Sequence, residues 1–305
     1  METSLPRLRG MAVSARTFRR VALANVLWLF VIVASGASVR LTGSGLGCEH
    51  WPGCNAGIEV YPTSYHGYIE FSNRIISGVA VLLTLATWLC SLLCHTLKPW
   101  VRWVAGLAFA GTLAEAPLGA ITVKYDLNPW LVGTHFLLSL VVLCLGVIVL
   151  LEAYGVRGEI LPVRLRQLGL VVAVACAGLL VTGALATAAG PHSGSVAVPR
   201  IGSFKPAVWL HVRATAAFGI SFAVLLVWLV RRHSRLARVG YLLLAVLALQ
   251  MTVGEIQYRT KLPWWLVLIH VSLSAAVWAT TVALVAMLWR PRAPAIPGSR
   301  DPVPE

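Results

Sequence analysis

Apolar residues in this chain gather into long unbroken runs, not into the alternation of a half-buried strand or the narrow stripe of a surface helix. Eight runs reach the roughly 20 residues needed to cross about 30 Å of hydrocarbon. They cover about 21–39, 69–94, 103–123, 130–153, 167–189, 206–230, 239–258 and 264–289. Charge, Gly and Pro fall between them, as at Lys98-Pro99 and Gly155-Val156-Arg157-Gly158. Backbone polar groups in lipid must be satisfied within the segment, so each run predicts a helix. The expected fold is all-α, a polytopic membrane protein with eight transmembrane helices. The first run follows a basic stretch, as the core of a signal peptide does. It is read as a span because the even count and the repeat described next require it.

The chain repeats itself. Trp130-Leu131-Val132-Gly133-Thr134-His135 returns as Trp265-Leu266-Val267-Leu268-Ile269-His270, an offset of 135 residues that also relates Leu127 to Leu262, Gly119 to Gly254, Glu115 to Gln250 and Ser139 to Ser274. A fainter echo joins Ser35-Gly36-Ala37 to Thr182-Gly183-Ala184. Four crossings return a chain to its starting side, so two parallel four-helix halves are expected, at 1–153 and 154–305. They would form pseudo-symmetric bundles about an axis along the membrane normal.

Composition sharpens this. Hydrophobic residues make up 58% of the chain and charged residues 12%, with a mean hydropathy of +0.80. A water-soluble surface needs roughly 25% charge, so soluble enzymes, disordered chains and secreted disulfide mini-proteins are excluded. The net charge of +14 reads as topology. Seventeen Lys and Arg fall in the N-terminal segment, the even-numbered connections and the tail: Arg7, Arg9, Arg16, Arg19, Arg20, Lys98, Arg102, Arg157, Arg164, Arg166, Arg231, Arg232, Arg235, Arg238, Arg290, Arg292 and Arg300. Six lie on the other side: Arg40, Lys124, Arg200, Lys205, Arg259 and Lys261. Both termini are therefore expected in the cytoplasm of a cell-membrane protein, and the long 40–68 loop outside. The basic residues form no face with interleaved aromatics, so the expected partner is the lipid bilayer and not nucleic acid.

Ionisable residues inside spans are costly and mark candidate sites. Here they are Glu70 and Arg74, Glu115, His135, His211 and Arg213, Glu255, and His270. His135, His211 and His270 each sit five or six residues inside an even-numbered helix, about 8–9 Å below the boundary at a rise of 1.5 Å. That common depth suits paired axial ligation of a haem, although a lone intramembrane His also serves as an interhelical hydrogen-bond partner. Glu70 and Arg74 have the i,i+4 spacing of a helix-face pair. Glu115 and Glu255 are expected as hydrogen-bonded bundle residues. His50, His66, His95, His192 and His233 are expected solvated, in or beside loops. Trp51, Trp100, Trp130, Trp209 and Trp264 mark interfaces.

Cys90, Cys94, Cys144 and Cys176 lie in apolar runs and read as small buried hydrophobes. Cys48 and Cys54 bracket a Pro-Gly turn in the outer loop, where disulfides persist. They are read as a structural disulfide or a redox-active pair. There is no CxxCH haem-attachment motif, Walker loop or dinucleotide GxGxxG.

The stretch Gly36-Ala37-Ser38-Val39-Arg40-Leu41-Thr42-Gly43-Ser44-Gly45-Leu46-Gly47-Cys48, with Trp51-Pro52-Gly53-Cys54-Asn55 and Ile69-Glu70-Phe71-Ser72-Asn73-Arg74-Ile75-Ile76-Ser77-Gly78, resembles the haem A synthase family. The resemblance extends over nearly the whole chain. It implies oxidation of a ring methyl of haem O to a formyl group through hydroxylated intermediates, in cytochrome c oxidase biogenesis. It further implies a haem b held by His211 and His270 in the C-terminal half, and a substrate haem O in the N-terminal half held by His135, with Glu70 catalytic and Asn73 and Arg74 at the cofactor. Haem O synthase, the oxidase assembly machinery and an electron partner are the implied associates. The family's usual Glu-x-x-His-Arg reads Glu70-Phe71-Ser72-Asn73-Arg74 here, so His135 is expected as the only histidine on the substrate iron. A di-haem cytochrome passing electrons from a quinol would share these ligands but would need a fourth histidine. A transporter would suit the repeat but leaves the Glu70–Arg74 cluster without a purpose.

Overall fold

The computed structural model describes residues 12–50, 53–55, 61–192, 194, 198 and 200–290. Trp51, Pro52, Arg7, Arg9, Arg292 and Arg300, singled out above, lie outside them. Eight helices carry the described chain: α1 Ala15–Leu41, α2 Tyr65–Leu93, α3 Pro99–Lys124, α4 Pro129–Ala153, α5 Val163–Ala189, α6 Phe204–Arg231, α7 Ala237–Arg259 and α8 Trp264–Trp289. All eight are long and apolar enough to cross a membrane. At 23 to 29 residues they run to about 35–44 Å, longer than the hydrocarbon alone requires. This is why α1 starts at Ala15 and not near 21. Its first turns carry Arg16, Arg19 and Arg20, which lower hydropathy without breaking the helix.

Local signals set the helix starts. Ser14 and Ser64 cap α1 and α2, their hydroxyls accepting from the N–H groups of Thr17 and Gly67. Asn128 caps α4 ahead of Pro129, and Pro99 opens α3. Pro117 sits inside α3, where it removes one backbone hydrogen bond two residues after Glu115.

Helix α1 packs on α2 and α4, and α3 on α2 and α4; α5 packs on α6 and α8, and α7 on α6 and α8. The first four helices and the last four thus close by the same set of pairings. They meet through α1, α4, α5 and α8, around a core of Val26, Leu29, Leu143, Leu180, Ala275 and Val282. Trp278 of α8 crosses this seam, its indole N–H donating to the Leu140 carbonyl of α4 at 2.9 Å. The repeat also appears in the backbone. Asp126 and Leu127, between α3 and α4, have φ of 50° and 56°; Lys261 and Leu262, between α7 and α8, have 63° and 61°. Two successive left-handed residues without glycine are uncommon, and here they recur at the same 135-residue offset.

At the end of the bundle carrying the C-terminus of α4, the buried Glu152 receives Arg157 at 2.5 Å and also Arg290, from just past α8. Arg290 also lies over the Trp100 ring at 4.5 Å. One carboxylate therefore gathers a basic residue from the α4–α5 connection and another from the segment that follows α8.

Candidate functional site

The polar residues collect at the opposite end, beneath the connection between α1 and α2. Cys48 and Cys54 are joined as a disulfide with Cα atoms 4.4 Å apart. The connection lies directly on the first turn of α2. A Cβ on Gly47 would sit 2.5 Å from the His66 carbonyl carbon and oxygen, so only glycine lets the loop approach so closely. That approach delivers the Cys48 N–H to Glu70 Oε2 at 2.9 Å.

Glu70 is buried. Its other oxygen meets Arg74 at 2.5 Å, and the Arg74 guanidinium also donates to the carbonyls of His50, at 2.7 Å, and Gly53. The expected helix-face pair is therefore present, and it also clamps the disulfide loop to α2. Three residues past Glu70, Asn73 turns toward α1 and its Oδ1 accepts from Ser35 Oγ at 2.9 Å. The corresponding contact in the last four helices is Thr182 Oγ1 to His211 Nδ1 at 3.3 Å. The Ser35/Thr182 echo in the sequence is thus a shared partner for positions 73 and 211.

His211 and His270 face each other from α6 and α8, with ring centres 6.4 Å apart and planes at 76°. Metal–imidazole bonds of about 2 Å on either side of one ion place two ring centres roughly 6 Å apart, and the separation here is of that size. Two glycines make room for the rings: a Cβ would lie 3.1 Å from His211 Cε1 at Gly183 and 2.9 Å from His270 Cε1 at Gly254. Gln250 Nε2 lies 3.3 Å from His270 Nε2, while His270 Nδ1 is buried without a hydrogen-bond partner. A buried imidazole nitrogen lacking a partner is costly unless a ligand or metal meets it. Among the described residues no group of three or more His, Cys, Asp or Glu is placed to hold a metal ion.

His135, six residues into α4 from Pro129, meets a different neighbour. Glu115 Oε2 of α3 lies 2.5 Å from its Nδ1. The approach is off the line of the ring N–H. Glu115 Oε1 accepts from Ser139 Oγ at 2.7 Å. Sequence reasoning expected Glu115 to be hydrogen-bonded but did not foresee its partner, although the Glu115/Gln250 match in the repeat held the clue.

One expectation is corrected. Glu255 pairs with Arg259 at 2.5 Å on an exposed surface, because the i,i+4 arginine on the same helix face captures it. His66 is exposed at the start of α2, beside the loop as expected, with its Nδ1 2.9 Å from Ser44 Oγ. His192 is tied as well, its Nε2 lying 2.8 Å from the Leu262 carbonyl.

With this geometry established, the chain can be compared with known proteins. The family model described as cytochrome oxidase assembly protein, COX15-CtaA, matches residues 19–67 and 56–282. The chain belongs to this family. It is similar to the heme A synthase of Geobacillus kaustophilus, 26% identical over 298 residues and covering 91% of this chain and 93% of that protein. It is also similar to a protein of Thermus thermophilus named protoheme IX farnesyltransferase, 30% identical over 291 residues, 85% of this chain but 46% of that protein. A shorter similarity joins it to the heme A synthase of Lysinibacillus sphaericus, 32% identical over 129 residues, 41% of each chain. The chain thus spans about half the length of the Thermus relative it matches.

Proposed function

We propose that the protein is a haem A synthase, an oxidoreductase that converts the ring methyl of haem O to a formyl group through hydroxylated intermediates and serves cytochrome c oxidase biogenesis. The observation that carries this, beside family membership, is the facing pair His211 and His270 in a chain whose first four helices hold a second, chemically different set of polar residues at similar depth. Two halves, 1–153 and 154–305, related by a pseudo-two-fold axis, divide the work. Both termini lie in the cytoplasm, from the 17-to-6 count of basic residues, and the disulfide loop faces outward from the cell membrane.

His211 and His270 would hold haem b, which supplies one-electron transfer beside the substrate. The 6.4 Å ring separation, the two glycine hollows and the unpartnered nitrogen of His270 support that fit. His135 binds the iron of the substrate haem O. Asn73 is a weak iron ligand, and its Oδ1 accepts from Ser35 Oγ. Glu70, fixed at one oxygen by the Cys48 N–H and at the other by Arg74, offers a positioned carboxylate for the protons that methyl oxidation releases. Arg74 holds that carboxylate and the covering loop together. An electron partner completes the reaction. Haem O synthase is the natural supplier of substrate, in keeping with a relative named for farnesylating protoheme.

Two measurements test the reading. Pigments extracted after co-expression with a haem O source should contain haem A. In the purified protein His211→Ala or His270→Ala should remove a low-spin haem signal. An unchanged spectrum in both variants, or no haem A from the unaltered chain, overturns it.

A further inference from the structure

The repeat aligns His135 with His270 and Glu115 with Gln250, yet sets a carboxylate beside the first imidazole and an amide beside the second. We propose that Glu115 is the positioning residue of His135: its carboxylate orients the ring so that Nε2 is presented to the substrate iron, and lends the imidazole more electron density than the neutral groups of Gln250 lend His270. The inference rests on the reading above, that His135 holds the substrate haem.

Three observations carry it. First, Glu115 lies directly against His135, its Oε2 2.5 Å from Nδ1 though off the line of the ring N–H, and its Oε1 accepts from Ser139 Oγ at 2.7 Å. Ser139 stands one turn beyond His135 on α4, its hydroxyl also 3.2 Å from the His135 carbonyl, so the serine pins the carboxylate to the helix that carries the ring. Second, Gln250 is held differently: its amide nitrogen meets His270 Nε2 at 3.3 Å, and no serine holds its oxygen. Ser274, the counterpart of Ser139, turns back to the Val271 carbonyl of its own helix at 2.7 Å, and Gln250 Oε1 is buried without a partner. Third, the Glu115 side chain is 15% exposed, so water screens its charge only weakly. Hydrogen bonds to an ionised acceptor are roughly twice as strong as neutral ones, and outer partners of a metal-bound histidine raise its basicity as a ligand. Two imidazoles of one repeat are thereby tuned apart: an electron-rich ligand where the porphyrin is oxidised, and a neutral one where electrons only pass.

The test uses the full chain, purified with both haems, and resolves the midpoint potential of each by redox titration. Glu115→Gln should keep the first-half haem and raise its potential, with the second haem unmoved. Gln250→Glu should do the reverse, lowering the potential of the second haem alone. Ser139→Ala, which releases one carboxylate oxygen, should give a smaller rise than Glu115→Gln and covers the case in which that variant fails to fold. If Glu115→Gln and Ser139→Ala both leave the first potential unchanged while His135→Ala abolishes that haem, the inference is wrong and the proposed function stands. If His135→Ala retains the haem with its spectrum unaltered, the ligand assignment fails, and the inference with it.

Discussion

Replacing Arg74 with glutamine should destabilise the protein more than replacing Glu70 with glutamine, although each removes the same ion pair. The asymmetry follows from what each change leaves behind. Glu70 has a side-chain exposure of 6% and Arg74 of 15%. Without Arg74, the Glu70 carboxylate keeps only the Cys48 N–H and remains buried with its charge. Breaking a buried pair from one side costs about 3–5 kcal/mol, and the partial exposure of this pair brings the expected loss to about 2–4 kcal/mol. Without the Glu70 charge, Arg74 still has the His50 and Gly53 carbonyls and some access to water. The glutamine carbonyl still accepts from Cys48 N–H. That loss should be nearer about 1–2 kcal/mol, the scale of one charged hydrogen bond. Denaturant midpoints of the detergent-solubilised protein, followed by tryptophan fluorescence, give the order. Limited proteolysis of the 42–64 connection gives the location, since Arg74→Gln should open that loop before the bundle unfolds. Equal midpoints, or a lower midpoint for Glu70→Gln, refute the reasoning.

Two further substitutions probe close approach. Gly47→Ala would put a Cβ 2.5 Å from the His66 carbonyl, lifting the loop off α2 at a cost of about 1–3 kcal/mol. It should reproduce the proteolytic opening of Arg74→Gln with the disulfide still intact by non-reducing mass spectrometry, and a loop as resistant as in the unaltered protein counts against the contact. Gly254→Ala would place a Cβ 2.9 Å from His270 Cε1, whereas a Cβ at Gly36 meets nothing within 4 Å. On the proposed reading Gly254→Ala should therefore perturb the low-spin haem spectrum and Gly36→Ala should not.

The spans were legible because hydropathy over 20 residues is a strong signal. Helix ends were less so: α1 and α3 begin before their apolar runs, because Arg16, Arg19 and Arg102 lower hydropathy but remain good helix formers. The Glu70–Arg74 pair could be read from its spacing. The backbone groups that complete it could not, since Cys48 N–H and the His50 and Gly53 carbonyls carry no residue-type signature and reach Glu70 and Arg74 only through the close approach at Gly47. The Glu115–His135 contact joins α3 to α4, and no periodicity within one helix reports it. Glu255 looked equivalent to Glu115 as a carboxylate within a span, but an arginine four residues later on its own helix pairs with it at the surface.

What separates the two ends of the repeat is a handful of side chains on a common backbone. The hydroxyl that faces position 73 from Ser35 and position 211 from Thr182 is the same group in each half, so substitution there changes the ligand and not the support. With Asn73 in place of a histidine, a haem held by His135 would keep one axial face without a protein imidazole, while the pair at His211 and His270 would have both faces filled. Filled faces suit electron transfer, which needs no coordination change; an unfilled face suits oxidation chemistry, which needs room at the metal. Glu70 has no ionisable counterpart at position 208, which is Val208, and neither the Arg74 clamp nor the disulfide loop is repeated around α6 among the described residues. On the proposed reading, the proton-handling group, the cover above it and the unfilled position fall on one half only. A duplicated four-helix scaffold can in this way support two different haem chemistries without a change of fold.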